Sequence, residues 1–98
     1  MYFTPYIPQI RQLCERHKVG RLYAFGSALT DRFSADSDVD LVVDFDKQAI
    51  ADYFINYFDF KYSLEDVFNR KVDLLEEQAI RNPYLRQNID RNKQLIYG

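Results

Sequence analysis

The sequence predicts an α/β (α+β) fold: one small mixed β-sheet with helices packed on one side. Three observations lead there. Helix-like and strand-like stretches alternate in the order helix, strand, helix, strand, helix, strand, helix. The strand-like stretches are short and apolar, and two are interrupted by an aspartate. Finally, 8 Phe and 8 Tyr among 98 residues supply much of the core of a single domain, residues 1–98, in which no linker, repeat or low-complexity segment appears.

Each element has its own signal. Thr4-Pro5 opens a first helix, because proline is pre-organised for a first helical turn; the helix is expected to run to about Lys18, with Val19-Gly20 ending it. Ile7, Ile10, Leu13 and Cys14 recur along it at helical spacing, which puts Cys14 in the core and leaves His17 as a polar cap at the end. Arg21 to Phe25 (RLYAF) is rich in apolar and aromatic residues and reads as a strand. Gly26 then permits a sharp turn, and Ser27 suits the start of one or two helical turns through Ala28–Phe33. Val39 to Phe45 (VDLVVDF) alternates: Leu41, Val43 and Phe45 share one face, Asp40, Val42 and Asp44 the other. Ile50 to Asn69 reads as a long helix with Ile50, Phe54, Tyr57, Phe58, Leu64 and Phe68 on one broad face. Lys71 to Leu75 (KVDLL) is another strand, and Asn82-Pro83 opens a last helix.

The chemistry concentrates in LYAFGSALTDRFSADSDVDLVVDF. A Gly-Ser turn entering a helix presents free N–H groups and partial positive charge, so it can hold phosphate oxygens. Asp38 and Asp40, at i and i+2, project the same way if the strand begins by Asp38. Two carboxylates held so close repel unless a cation lies between them, and Mg²⁺ suits that position because it binds one or two carboxylates together with substrate phosphates. Asp73 interrupts its strand as Asp40 interrupts the earlier one. If the two strands are neighbours with matching faces, Asp73 can join the metal ligands and accept a proton from an attacking hydroxyl. Asp44, Asp46, Glu76 and Glu77 lie at strand ends, where charges normally face solvent.

Gly26-Ser27, ten residues, then Asp38-Val39-Asp40, preceded by an apolar strand and followed by LVVDF, resembles the DNA polymerase β-like nucleotidyltransferase superfamily, and more narrowly the minimal nucleotidyltransferases (MNT). KVDLLEE resembles the strand carrying that family's third acid, and RNPYLRQNIDRNKQLIYG its C-terminal helix and tail. The resemblance implies that Gly26 and Ser27 bind the triphosphate of ATP, that Asp38 and Asp40 bind two Mg²⁺ ions, and that Asp73 completes the catalytic site. It also implies a HEPN-domain partner, often a toxin ribonuclease, whose tyrosine hydroxyls receive AMP, so that the chain acts as an antitoxin. One departure stands out. Where many members carry arginines and a second glycine, in a pattern like GSRARG, this chain has Ala28, Leu29, Thr30 and Asp31, and the nearest cation is Arg32.

Composition narrows the alternatives. A net charge of −2 argues against a standing nucleic-acid platform, although Arg81, Arg86, Arg91 and Lys93 gather near the C-terminus. One cysteine excludes an intramolecular disulfide and fits a reducing cytoplasm, and no signal peptide or membrane-length apolar run is present. Two functions compete with transfer to a partner protein. One is a non-catalytic module of the same fold that masks a partner, with Tyr53, Tyr57 and Tyr62 as an interface. The other is transfer to a small molecule with help from a partner subunit. Homo- and hetero-oligomers both remain open.

Overall fold

The computed structural model describes residues 1–98. Its sheet is built from β1 (Val19–Phe25), β2 (Val39–Phe45), β3 (Val72–Glu76) and β4 (Gln94–Tyr97), flanked by helices α1 (Ile7–Arg16), α2 (Tyr53–Phe68) and α3 (Pro83–Asn92). The strand order is β3-β2-β1-β4. β1 pairs antiparallel with β2 and β4, and β2 pairs parallel with β3. This is the expected mixed α/β architecture. Parallel neighbours require a long crossover, and the 16 residues of α2 provide it.

The expected alternation of β2 is realised: Leu41, Val43 and Phe45 are buried on one face while Asp40 and Asp44 are half-buried on the other. Val42, on the aspartate face, is fully buried as well. α1 contributes Ile10, Leu13 and Cys14 to the main core, and α2 contributes Phe60, Leu64 and Phe68. Cys14 is the expected core residue. Ile89 of α3 is buried outside that main core, as Val42 is. Capping follows the residue types: Asp52 accepts from the Ile55 N–H (3.1 Å), and Asn82 from the Tyr84 and Leu85 N–H groups (2.9 and 3.2 Å).

Four expectations are corrected. The first helix ends at Arg16, not Lys18, and Val19-Gly20 already belongs to β1; Lys18 itself takes the left-handed turn (φ 61°). The segment after Gly26 is a short 3-10 turn, Gly26–Leu29, rather than a helix reaching Phe33. On α2, Phe54 is 70% exposed. The core face is instead set by Phe60, Leu64 and Phe68, with Tyr53 and Tyr57 packed against it. Phe54 and Phe58 follow a different stripe, because each residue turns about 100° and aromatics occur all round this helix. The C-terminal tail forms strand β4, whose polar Gln94 and short length hid its strand character.

Candidate functional site

The site lies where β1 ends and β2 begins. Gly26 leaves β1 with φ 74°, in the region that glycine alone enters freely. A Cβ at this position would fall well inside contact distance of Asp40 Oδ2, so the absent side chain brings the turn's backbone directly against that carboxylate. Phe25 pairs with Asp40 across the antiparallel β1–β2 ladder, which explains the closeness.

β2 starts at Val39, one residue later than the arrangement in which Asp38 and Asp40 lie on one strand. Asp38 therefore sits at the mouth of the strand and is exposed. On the other flank, Asp40 and Asp73 are register partners in the parallel β2–β3 pair. Register partners on adjacent strands point to the same face, about 5 Å apart. Asp73 thus lies on the same side of the sheet as Asp40. Asp40 is raised above the ordinary carboxylate range, first by burial, then by the negative charges of Asp73 and Asp38. One carboxylate senses both others. None of the three accepts a hydrogen bond or pairs with a cation elsewhere in the chain.

The donor set consists only of hard oxygens, so in donor chemistry these residues suit a hard divalent cation such as Mg²⁺. As the side chains are placed, no three His, Cys, Asp or Glu groups stand close enough to enclose one ion. Next to the turn, Phe25, Gly26, Ser27, Leu29, Thr30, Arg32, Asn88 and Asn92 line a cavity of about 670 Å³. That volume lies within the range of small-molecule sites. Arg32 makes no side-chain hydrogen bond or ion pair, so a cation does face this cavity although the positions just after Ser27 carry none. Asn88 and Asn92 come from α3. Their place here could not be read from the sequence, because it depends on how α3 docks.

Other polar groups are committed elsewhere. Glu76 is held by Lys47 (2.5 Å) and the Tyr53 hydroxyl (2.6 Å). Glu77 is held by Arg86 (2.5 Å). Buried His17 caps α1, as expected: Nδ1 donates to the Leu13 carbonyl (2.8 Å), and Nε2 lies 2.5 Å from Asp59. Of the C-terminal cations, Arg86 is paired with Glu77, while Lys93 pairs with Asp90 (3.2 Å) and lies over the Tyr23 ring. Tyr53 and Tyr57 are half-buried, with Tyr57 donating to the Leu74 carbonyl; Tyr62 is 54% exposed. No helix is long and apolar enough to cross a membrane.

Residues 8–98 match the family described as polymerase beta, nucleotidyltransferase, and the chain belongs to that family. A protein of Methanocaldococcus jannaschii provisionally named a protein adenylyltransferase is 35% identical over 85 residues, which is 87% of this chain and 82% of that protein. A solved structure provisionally described as a minimal nucleotidyltransferase superposes with a TM-score of 0.77 at 27% identity, covering 95% of this chain and 91% of the other. One chain of a solved structure described as a tri-AMPylated HEPN toxin of Shewanella oneidensis in complex with an MNT antitoxin shares the fold, with a TM-score of 0.64 and 20% identity, covering 94% of this chain and 69% of that one.

Proposed function

We propose that this chain transfers a nucleoside monophosphate, AMP from ATP, to a hydroxyl of a partner HEPN-type protein and thereby acts as an antitoxin. The observation that supports it best is the register pairing of Asp40 with Asp73 beside the Gly26 turn, with the charge of Asp38 also bearing on Asp40. The kinship with proteins named adenylyltransferases and the shared fold of a toxin–antitoxin complex point the same way.

In this reading the backbone of Gly26 and Ser27 receives the triphosphate, and Arg32 lends positive charge from the same cavity. Asp38, Asp40 and Asp73 are the residues that would hold Mg²⁺, which when bound would supply positive charge for the phosphates and lower the pKa of the acceptor hydroxyl. Asp73, the more exposed member of the strand pair, takes the hydroxyl proton. The acceptor oxygen bonds to the α-phosphorus, the bond from that phosphorus to the bridging oxygen breaks, and pyrophosphate leaves. Asp38→Asn combined with Asp40→Asn tests this with radiolabelled ATP and a co-expressed partner. Labelling is expected to disappear while circular dichroism is unchanged; undiminished labelling refutes the proposal.

A second reading, a module that masks its partner without catalysis, is favoured by Ala28, Leu29, Thr30 and Asp31 in place of the arginine-rich pattern, and by the exposed Phe54 and Tyr62 of α2. Thermal stabilisation by ATP that needs Mg²⁺, and that the Asp38/Asp40 double variant loses, supports the enzyme. Stabilisation by a partner alone, with no nucleotide effect, supports the module.

A further inference from the structure

The segment joining the glycine turn to Asp38 has few anchors of its own. A turn is closed by Ser37 N–H donating to the Ser34 carbonyl (3.1 Å), and Ser34 N–H donates to Ser37 Oγ (3.1 Å). A further tie arrives from one side chain far along the chain. Arg70 Nη1 donates to the Ser34 carbonyl (2.5 Å) and to the Ser37 carbonyl (3.0 Å), the latter belonging to the residue immediately before Asp38. The guanidinium also lies 4.2 Å from the centre of the Phe33 ring and 5.3 Å from that of Tyr2, and those two rings meet edge to face. Arg70 has no carboxylate partner. Its charge is satisfied by two loop carbonyls and two aromatic faces.

The placement of Arg70 follows from the end of α2. Asn69 takes a left-handed conformation (φ 52°) and ends the helix, so Arg70 projects between the helix and the loop. Next in the chain, the Lys71 carbonyl accepts from Val39 N–H (3.0 Å), the first bond joining β2 to β3. One tripeptide, Asn69-Arg70-Lys71, therefore ties down the residues on both sides of Asp38 and leads directly into the strand that carries Asp73.

We infer that Arg70 is a positioning residue that holds Asp38 at the mouth of β2 so that it can share a divalent cation with Asp40 and Asp73. The inference rests on the metal-binding reading of those acids given above. A flat, weakly hydrated guanidinium that lies over two rings while its Nη1 donates to two carbonyls is not matched by the compact, strongly hydrated ammonium of lysine. Residues that orient metal ligands commonly shift metal affinity about tenfold or more when removed.

The test uses the wild-type chain, Arg70→Ala, Arg70→Lys and Arg70→Gln, the last keeping an aliphatic stem if the alanine variant melts too low. Two readouts are taken. Amide hydrogen exchange of Ser37 and Val39 is compared with that of α1, and Mg²⁺ is titrated against thermal stabilisation by the β,γ-imido analogue of ATP. Expected in each variant is faster exchange confined to residues 34–39, together with a rise of about tenfold in the Mg²⁺ concentration at half effect, with no rescue by lysine. Faster exchange with an unchanged Mg²⁺ midpoint overturns the inference, leaving Arg70 a loop brace only. Unchanged exchange and midpoint overturn it outright. A wild-type chain indifferent to Mg²⁺ overturns the reading of the acids instead, and is recognised because the unaltered protein fails.

Discussion

The parallel pair β2–β3 carries acidic groups at both ends, and the two ends treat them oppositely. At its C-terminal end, Glu76 is met by Lys47 and by the Tyr53 hydroxyl, and although burial pushes its carboxyl up, these partners hold it below the ordinary range. At the N-terminal end, Asp40 faces Asp73 and Asp38 with no cation from the chain, and it is raised. Identical chemistry is stabilising at one end and strained at the other. The fold pairs Glu76 at one end, yet at the other it leaves Asp40 facing the charges of Asp73 and Asp38, and negative charge of that kind is what a nearby cation relieves.

The contrast can be broken in order of size. The Asp38→Asn, Asp40→Asn chain is expected to lose nucleotidyl transfer by at least about a hundredfold, as removal of groups that support charge stabilisation does; a transfer assay with labelled ATP measures it. Gly26→Ala forces a Cβ toward Asp40 Oδ2 and strains a positive φ, so about 1–3 kcal/mol of stability should be lost along with ATP-dependent stabilisation, read by denaturant melts with and without nucleotide. Glu76→Gln should cost about 1.5 kcal/mol near neutral pH, the low end for hydrogen bonds to a charged group. Because the folded pKa of Glu76 is depressed, that difference should persist above the ordinary glutamate pKa of about 4.3 and fade as pH falls through the lower folded value.

The smallest effect should have the opposite sign. Asp40 is raised in the folded chain, so its ionised form weakens the fold above its folded pKa. Asp40→Asn should therefore raise the melting temperature by a few degrees at neutral pH without Mg²⁺, and the gain should vanish below the ordinary aspartate pKa of about 3.9. Parallel melting curves of the Glu76 and Asp40 variants, diverging at neutral pH and converging in acid, would sharpen the comparison. Equal signs for the two would break it.

Local features of the chain were enough for several elements. VDLVVDF alternates so regularly that its buried and polar faces follow from the pleat alone. Asn82-Pro83 starts α3 because both residues act on their immediate neighbours. Gly26-Ser27 and Asp38-Val39-Asp40 could be singled out because their spacing is a property of the chain itself. The face of α2 was harder, since Phe54 and Phe58 are as apolar as Phe60, and only docking on the sheet selects one stripe.

By itself, then, the sequence determined the order of elements, the glycine turn and the acids nearest to it, because those depend on bond angles and side-chain periodicities acting over a few residues. Only the tertiary structure decided that Asp73 lies opposite Asp40, that Arg32 faces a cavity shared with Asn88 and Asn92, and that Arg70 grips the loop before Asp38. Those are contacts between residues distant in the chain. Strand register and helix docking create them, and both depend on burying the whole apolar core at once rather than on any short segment's preference.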